Sequence, residues 1–335
     1  MALPLKDVGM ADRSPAGGVD RALVAALGLI AVISPLVALS WRFWLAEIPL
    51  TLLPILVALA VLLAAWLAAL RHGFAALLFL AFGVVDLGVM LGAVGPPTLS
   101  AASEVPCARP LRVASLNVLF STGNWASQEA YLRNGGFDVV LLQEIFADGY
   151  WLGRLRALSE TYPYLMTHRG SDSAILSTRP LRALPPRLQN ATALTTPILG
   201  NVPVAAMVAV GDREVLVVSA HMPSPKTPDA YAGRSLALHH LAALITTAEG
   251  PAIVAGDFNG VAWSPRIAAF REAAGLSMLD WGPLPIATRP AWLPVLGAQI
   301  DYVLPTASDF TGVQRAGPDV GSDHRPLEAD LCPRF

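Results

Sequence analysis

AIVAGDFNG, residues 252–260, is a run of apolar and small residues that ends in Asp257 and Asn259, set between Gly256 and Gly260. This pattern predicts a buried strand delivering a carboxylate and an amide to one end of a sheet. Taken alone, it is equally an ordinary Asp/Asn turn. Working outward, five other stretches close in the same way: VASLN at Asn117, VVLLQE at Glu144, VLVVSAH at His221, QID at Asp301, and GSDH at Asp323 and His324. Strand ends that gather these groups in one place would build a metal–phosphate site.

The surrounding pattern supports strands. From Leu111 onward, short apolar runs alternate with helical stretches. Strands are predicted at 111–120, 137–145, 173–181, 204–210, 214–222, 252–259, 298–305 and 325–331. Helices are predicted at 127–135, 150–159, 231–247 and 265–274. The strands at 204–210 and 214–222 should pair through the Gly211–Asp212 turn. Many strands with interspersed helices predict an α/β domain with mixed sheets. Continuous apolar strands such as VVLLQ imply sheets covered on both faces. No glycine-rich nucleotide loop of the Rossmann or P-loop kind is present.

Composition adds a second region. The chain has 335 residues, of which 54% are hydrophobic and 14% charged, and its formal net charge is -2. Soluble proteins carry about 25% charge, so part of this chain is expected to lie in lipid. Three apolar runs, at 22–41, 48–70 and 73–94, each have about the 20 residues needed to cross a bilayer. The expected organisation is a disordered cytoplasmic tail at 1–21, three transmembrane helices within 22–95, a linker at 96–110 and a catalytic domain at 111–335. A cleaved signal peptide would explain the first run only, and Trp41-Arg42-Phe43-Trp44 is not a small-residue cleavage site. Lys6, Arg13, Arg21 and Arg71 against Arg42 place the N-terminus in the cytoplasm, although Arg109 and Arg112 narrow the bias. The expected location is therefore the inner (cytoplasmic) membrane, multi-pass, with the catalytic domain periplasmic or otherwise extracytoplasmic. Asp86, inside the third run, is read as protonated or bonded within the helix bundle, because a single acid in a span does not make a transporter.

Glu144, Asp257, Asp301 and Asp323 are hard oxygen donors. With Asn117, Asn259, His221 and His324 they suit Mg²⁺, with Mn²⁺ as the alternative, a substrate phosphate completing the site. Only two cysteines, Cys107 and Cys332, are present, which excludes a cysteine-rich zinc site and leaves room for one intramolecular disulfide. The matching reaction is metal-assisted phosphoester hydrolysis.

The ordered set SLNVL, LLQE, SAH, GDFN, IDYVL and SDHRP resembles the endonuclease/exonuclease/phosphatase (DNase I-like) superfamily over 111–331, and the preceding apolar helices resemble its bacterial membrane-anchored branch. The resemblance implies a sandwich of two mixed β-sheets with helices outside. It implies Glu144 as principal metal ligand, Asn117 at the metal–phosphate end and Asp323 as a second metal-side carboxylate. It also implies that Asp257 orients or deprotonates the attacking water. Asn259 would bond the phosphate and hold Asp257, His221 and His324 would contact the phosphoryl oxygens, and Asp301 would fix His324. Relatives of this kind carry a carboxylate behind the first histidine, for which Asp172 is only a candidate here. Arg234 is expected to face phosphate or solvent. His168, His239 and His240 fit no motif and are read as structural or surface residues, and His72 as interfacial. The loop at 277–298, with Trp281, Thr288, Trp292 and several prolines, precedes Asp301 without a legible role. In folds resembling this superfamily the first and last strands are antiparallel neighbours, which brings Cys107 towards Cys332.

Residues 103–335 carry 18 Lys and Arg against 20 Asp and Glu, so no basic signature for duplex nucleic acid appears. The expected activity is that of a membrane-anchored, Mg²⁺-dependent phosphodiesterase or nuclease. A phospholipid phosphodiesterase or phosphatase of the same superfamily is the alternative. A non-catalytic membrane-anchored binding module is the alternative of another class. The expected partners are a phosphoester substrate, such as nucleic acid or phospholipid, and the membrane itself; no protein partner is evident.

Overall fold

The computed structural model describes residue 28, residues 44–94, and residues 107–335 apart from 122–123, 147–148, 169, 192–201 and 280–285. The expected tail at 1–21 and nearly all of the first apolar run lie outside the described residues, as do Trp281 and most of the linker.

The first described elements are helical: a single 3₁₀ turn at Trp44–Ala46, then α1 (Glu47–Thr51), α2 (Leu53–Ala69) and α3 (Gly73–Val94). Of the three transmembrane helices read from the sequence, the first lies almost wholly outside the described residues, and the other two differ from each other in form. Among the described residues one helix, Gly73–Ala93, is long and apolar enough to cross a membrane. The second run is not one straight helix but two pieces, bent by 64° between Thr51 and Leu53. Pro54 is the physical reason. It has no N–H to give to the carbonyl of Leu50, four residues back, and its ring crowds that carbonyl. The freed Leu50 oxygen instead accepts the indole Nε1–H of Trp263 at 2.7 Å. α2 and α3 pack as a hairpin whose near end rests on the following domain. Leu50, Leu53 and Leu56 join one apolar cluster with Leu238, Trp263, Ile267 and Phe270. The guanidinium of Arg271 donates to the carbonyl of Ala93. Asp86 is fully buried.

The remaining chain forms a sandwich of two mixed sheets. Its first half contains β1 (Leu111–Asn117), α4 (Trp125–Asn134), β2 (Val139–Gln143), α5 (Gly149–Arg156), β3 (Tyr164–Met166), β4 (Ser173–Ser177), β5 (Leu181–Arg182) and α6 (Pro186–Ala191). Its second half contains β6 (Val204–Val210), β7 (Arg213–His221), α7 (Pro228–Ala248), β8 (Ala252–Asp257), α8 (Pro265–Ala273), β9 (Asp301–Pro305), β10 (Phe310–Ala316) and β11 (Leu327–Pro333). One sheet has the order β10-β11-β1-β2-β4-β3 and the other β5-β6-β7-β8-β9. The pairs β1–β2 and β7–β8 are parallel and the rest antiparallel. Alternate residues of the central strands fill the space between the sheets: Val113, Val139, Leu141 and Ile175 from one face Val215, Val217, Ile253 and Val303 from the other. The opposite residues of β1, β2 and β4 pack under Trp125, Leu132, Trp151 and Leu155 of α4 and α5. This double covering accounts for the continuous apolar strands.

The expected hairpin is present: β6 and β7 join at Val210 and Arg213, with Gly211 at φ +62°. β10 was not anticipated. Its sequence FTGVQRA has no sustained alternation, and it exists because β11 supplies a partner along its whole length. β11 lies antiparallel to β1, and Cys107 and Cys332 form a disulfide with Cα atoms 5.8 Å apart.

Candidate active site

The site grows from one row across the second sheet. β7 and β8 are in parallel register with His221 opposite Asp257, and β8 and β9 are antiparallel with Asp257 opposite Asp301. Three strand ends thus set an imidazole and two carboxylates side by side. The close approach of β7 and β8 depends on Gly256. At φ +148° a Cβ there would meet the Ala220 carbonyl oxygen at 1.8 Å. The first sheet faces this row with the ends of β1 and β2, where Asn117 lies opposite Gln143 and Glu144 follows. Glu144 and Asn259 both adopt left-handed backbone, at φ 59° and 49°, which turns each side chain off its strand line. Between the sheets, the Gln143 amide donates to Ser219 Oγ at 3.1 Å, and that hydroxyl donates to the Leu142 carbonyl at 3.0 Å.

Asp257 is the hub. Its Oδ1 accepts the Asn259 backbone N–H at 2.8 Å. Its Oδ2 accepts Asn259 Nδ2 at 3.1 Å and Asn117 Nδ2 at 3.2 Å. His221 Nε2 and His324 Nε2 lie 3.7 and 3.8 Å from the same oxygen. Each histidine is backed by a carboxylate: His221 Nδ1 donates to Asp172 Oδ2 at 2.6 Å, and His324 Nδ1 to Asp301 Oδ2 at 2.9 Å. Asn117 Nδ2 also reaches Glu144 Oε1 at 3.0 Å, while Asn117 Oδ1 accepts the Leu119 N–H. Asn117 therefore spaces the two carboxylates with its amide group and turns its oxygen away from the cleft. Asp323 pairs with Arg289 at 2.9 Å, and its other oxygen, Oδ1, is 4.0 Å from His324 Nε2. All eight residues singled out from the sequence belong to this connected network.

The electrostatics follow from burial and pairing. Burial by itself disfavours an imidazolium, but around His221 the Asp172 hydrogen bond and the charges of Asp257, Asp172 and Glu144 outweigh it, raising the pKa to about 9. His324 rises to about 9 against the same burial, through Asp301, Asp257 and Asp323. The Asp257 carboxyl is pushed up by burial, with the His324 charge opposing most strongly. The two histidines are therefore held towards their charged form on either side of Asp257.

A polar pocket of about 330 Å³ opens on this network, lined by Glu144, His221, Asp257 and Asn259 together with Lys226 and Arg289. The last two were missed in the sequence. The signal was there for Lys226, one of only two lysines in the chain and five residues beyond His221. Arg289 carried none, because its position depends on a folded loop. That loop is held by Thr288, whose Oγ1 accepts the N–H groups of Ile300 and Asp301 at 3.1 and 3.3 Å. Asp172 is the carboxylate behind the first histidine. Arg234 departs from expectation: it faces neither phosphate nor solvent. It is fully buried, forms an ion pair with Glu47 at 2.7 Å and donates to the Asn259 carbonyl at 2.6 Å. His239 and His240 sit on α7, and their rings lie 6.1 Å apart.

The residues present fit a hard divalent cation. Glu144 fronts the pocket, and Asp323 Oδ1, buried without a hydrogen-bond partner, lies 4.0 Å from His324 Nε2; each is a hard anionic oxygen of the kind that suits Mg²⁺. Asp257, Asp301 and His324 also bring ligand-type atoms within 4.8 Å of one another. There, however, His324 is already bonded to Asp301 through Nδ1, and the trio reads as a hydrogen-bonded relay.

A family model described as the Endonuclease/Exonuclease/phosphatase family matches residues 114–324. Among solved structures, the chain is similar to D. rerio TDP2 complexed with a single-strand DNA product, with a TM-score of 0.53 and 19% identity over 66% of this chain and 98% of that one. It is similar to beta toxin from Staphylococcus aureus, in a mutant with bound magnesium ions, with a TM-score of 0.52 and 15% identity over 66% and 99%. A third is an endonuclease/exonuclease/phosphatase from Beutenbergia cavernae, with a TM-score of 0.50 and 18% identity over 67% and 72%. Among curated proteins, no sequence matches significantly. The family match begins at residue 114, so α1, α2 and α3 stand outside it.

Proposed function

The chain belongs to the Endonuclease/Exonuclease/phosphatase family, and from that premise we propose that it is a membrane-anchored, Mg²⁺-dependent phosphodiesterase. The observation that carries this reading is the convergence of His221, His324, Asn259 and Asn117 on one buried carboxylate, Asp257. In this reading Asp257 takes a proton from the attacking water. The water oxygen bonds to phosphorus, the ester P–O bond breaks, and the departing oxygen leaves with the bonding pair and takes a proton from solvent, to which Asp257 later returns its own. His221 and His324, held cationic by Asp172 and Asp301, stabilise the negative charge that builds on the phosphoryl oxygens. Asn259 holds Asp257 and offers its amide to the phosphate. Lys226 and Arg289 supply further positive charge at the pocket mouth. Glu144 and Asp323 would hold the metal, with Asn117 fixing the orientation of Glu144; bound there, Mg²⁺ would polarise the phosphoryl group and stabilise the departing oxygen. The beta toxin with bound magnesium supports the choice of ion by fold likeness.

The anchor rests on α3 and on the exposed apolar faces of the hairpin, where Phe74 is 85% and Leu77 67% exposed. With the first apolar run as a third span, the Lys/Arg bias would place the catalytic domain outside the cytoplasm. Hydrolysis of bis(4-nitrophenyl) phosphate by the full chain tests the reading: activity should vanish with EDTA and return with Mg²⁺ or Mn²⁺. Undiminished turnover in chelator, or none with any divalent ion, would count against it.

A further inference from the structure

Beside the polar pocket lies a second cleft, of about 350 Å³, within the size range of small-molecule sites, roughly 300–1,000 Å³. Ser224, Lys226, Asn259 and Arg289 line both, so the two adjoin. Beyond those shared residues the character changes. The far wall is mostly aliphatic, with Ile48 and Leu52 at the α1–α2 bend and Pro290, Leu296 and Ile300 of the domain, and its polar members are Thr51 and Glu47, the latter paired with Arg234. The cleft therefore exists only because the helical segment outside the family match docks on the domain. The Glu47–Arg234 ion pair and the Glu47–Ser264 hydrogen bond, 2.9 Å, fix that docking.

We propose that this cleft receives the hydrocarbon chain of a membrane phospholipid whose phosphodiester sits in the polar pocket. This rests on the hydrolase reading above and narrows its substrate class. Three observations favour a lipid. Lys226 and Arg289 stand where the polar and apolar spaces meet, so an anionic phosphate at that junction has aliphatic wall on one side. Among the described residues no aromatic side chain lines the cleft, so within it there is no stacking platform of the kind that nucleic-acid bases use. The lining residues Pro290 and Leu296 belong to a loop whose apolar side chains are exposed, with Trp292 72%, Val295 87% and Leu296 56% exposed. The cleft also adjoins the bend leading into α2, so a chain leaving a bilayer around the hairpin stays on apolar surface.

The test uses the full chain in lipid nanodiscs and two esters with the same cleavable bond, 4-nitrophenyl methyl phosphate and 4-nitrophenyl dodecyl phosphate. Ile48→Trp and Leu296→Trp fill the cleft. Each should lower the dodecyl-to-methyl ratio of kcat/KM by about tenfold or more, since even one methylene in an apolar pocket is worth roughly that much. Partitioning of the dodecyl ester into the bilayer is common to all variants and cancels in this comparison. A dodecylphosphocholine analogue carrying a diazirine at the chain end gives a second readout that needs neither turnover nor a variant. Photolysis should label 48–52 and 290–300. A ratio changed by less than about twofold, or label confined to the outer faces of α2 and α3, overturns the proposal. If neither ester is cleaved by the unmodified chain, the hydrolase reading has failed, and the labelling decides the cleft by itself.

Discussion

The polar row and the helical hairpin hold buried charge in different ways. In the row, Asp257 sits among two imidazoles and two amides, drawn from the ends of β1 and β7, the turn after β8 and the loop before β11, and every partner is itself backed by another group. At the hairpin, one carboxylate, Glu47, meets one guanidinium, Arg234, with Ser264 as a further donor, inside an apolar cluster. The first arrangement shares charge over a network and suits a reaction in which charge moves. The second locks one element to another. Arg234 joins the two, because its other arm holds the carbonyl of Asn259, so the docked helix bears directly on the loop that orients Asp257.

The largest effect expected is in the row. Asp257→Ala or His324→Ala should reduce kcat by about 10²–10³-fold, while Phe74→Ala on the exposed hairpin face should stay within about twofold. Steady-state turnover of bis(4-nitrophenyl) phosphate by the full chain measures both. If the hairpin variant lost as much as the row variants, the division between chemistry and docking would collapse. At the joint, Glu47→Gln removes the charge facing Arg234 and should cost about 3–5 kcal/mol of stability, the usual result of stranding one partner of a buried pair. Denaturant unfolding of the domain would read this, and an unchanged midpoint would show that the pair does not fasten the hairpin.

The covalent tie should matter less than that ion pair. Cys107→Ser opens a bridge across 225 residues of sequence and should cost about 2–4 kcal/mol. It should leave kcat within about twofold, since the bridge lies at the strand ends opposite Asn117. Equal thermal stability with and without reductant would remove the disulfide from the account of the fold.

How much of this was legible in the sequence divides along the same line. The row could be read because strand boundaries are local: the functional residues lie at or next to the ends of apolar runs, and six such motifs occur in family order. Asp172 stayed only a candidate, because RGSDSAIL does not say which histidine its carboxylate will meet. Lys226 was visible as a rare lysine, but Arg289 was not, since its place depends on Thr288 gripping the start of β9. The hairpin was legible as apolar and no further. Nothing in the run 48–70 announces that Leu50 will give its carbonyl to Trp263 or that Glu47 will find Arg234, more than 180 residues away. Arg234 itself was placed on the correct helix and given the wrong neighbours. A buried arginine and a phosphate-facing one look the same until the partner element is docked.

The smallest effect expected is in titration, and it separates the two regions most sharply. His221 and His324 have pKa values raised to about 9, from a usual value of about 6.5. A group held above its unfolded pKa stabilises the fold fully below that unfolded value and loses its contribution as pH rises through the folded one. Stability owed to the row should therefore be complete below about pH 6.5 and decline between about pH 6.5 and 9. Asp172→Asn removes the hydrogen-bonded charge behind His221 and should lower that one titration while leaving His324 near its former value, because Asp301 still backs it. Imidazole NMR resonances of the metal-free chain would follow each ring separately. Glu47→Gln should move neither titration, since Glu47 contributes to neither raised value. If Asp172→Asn left His221 unshifted, the carboxylate behind it would be a packing neighbour only. If Glu47→Gln shifted either ring, the joint through Arg234 would transmit charge as well as position.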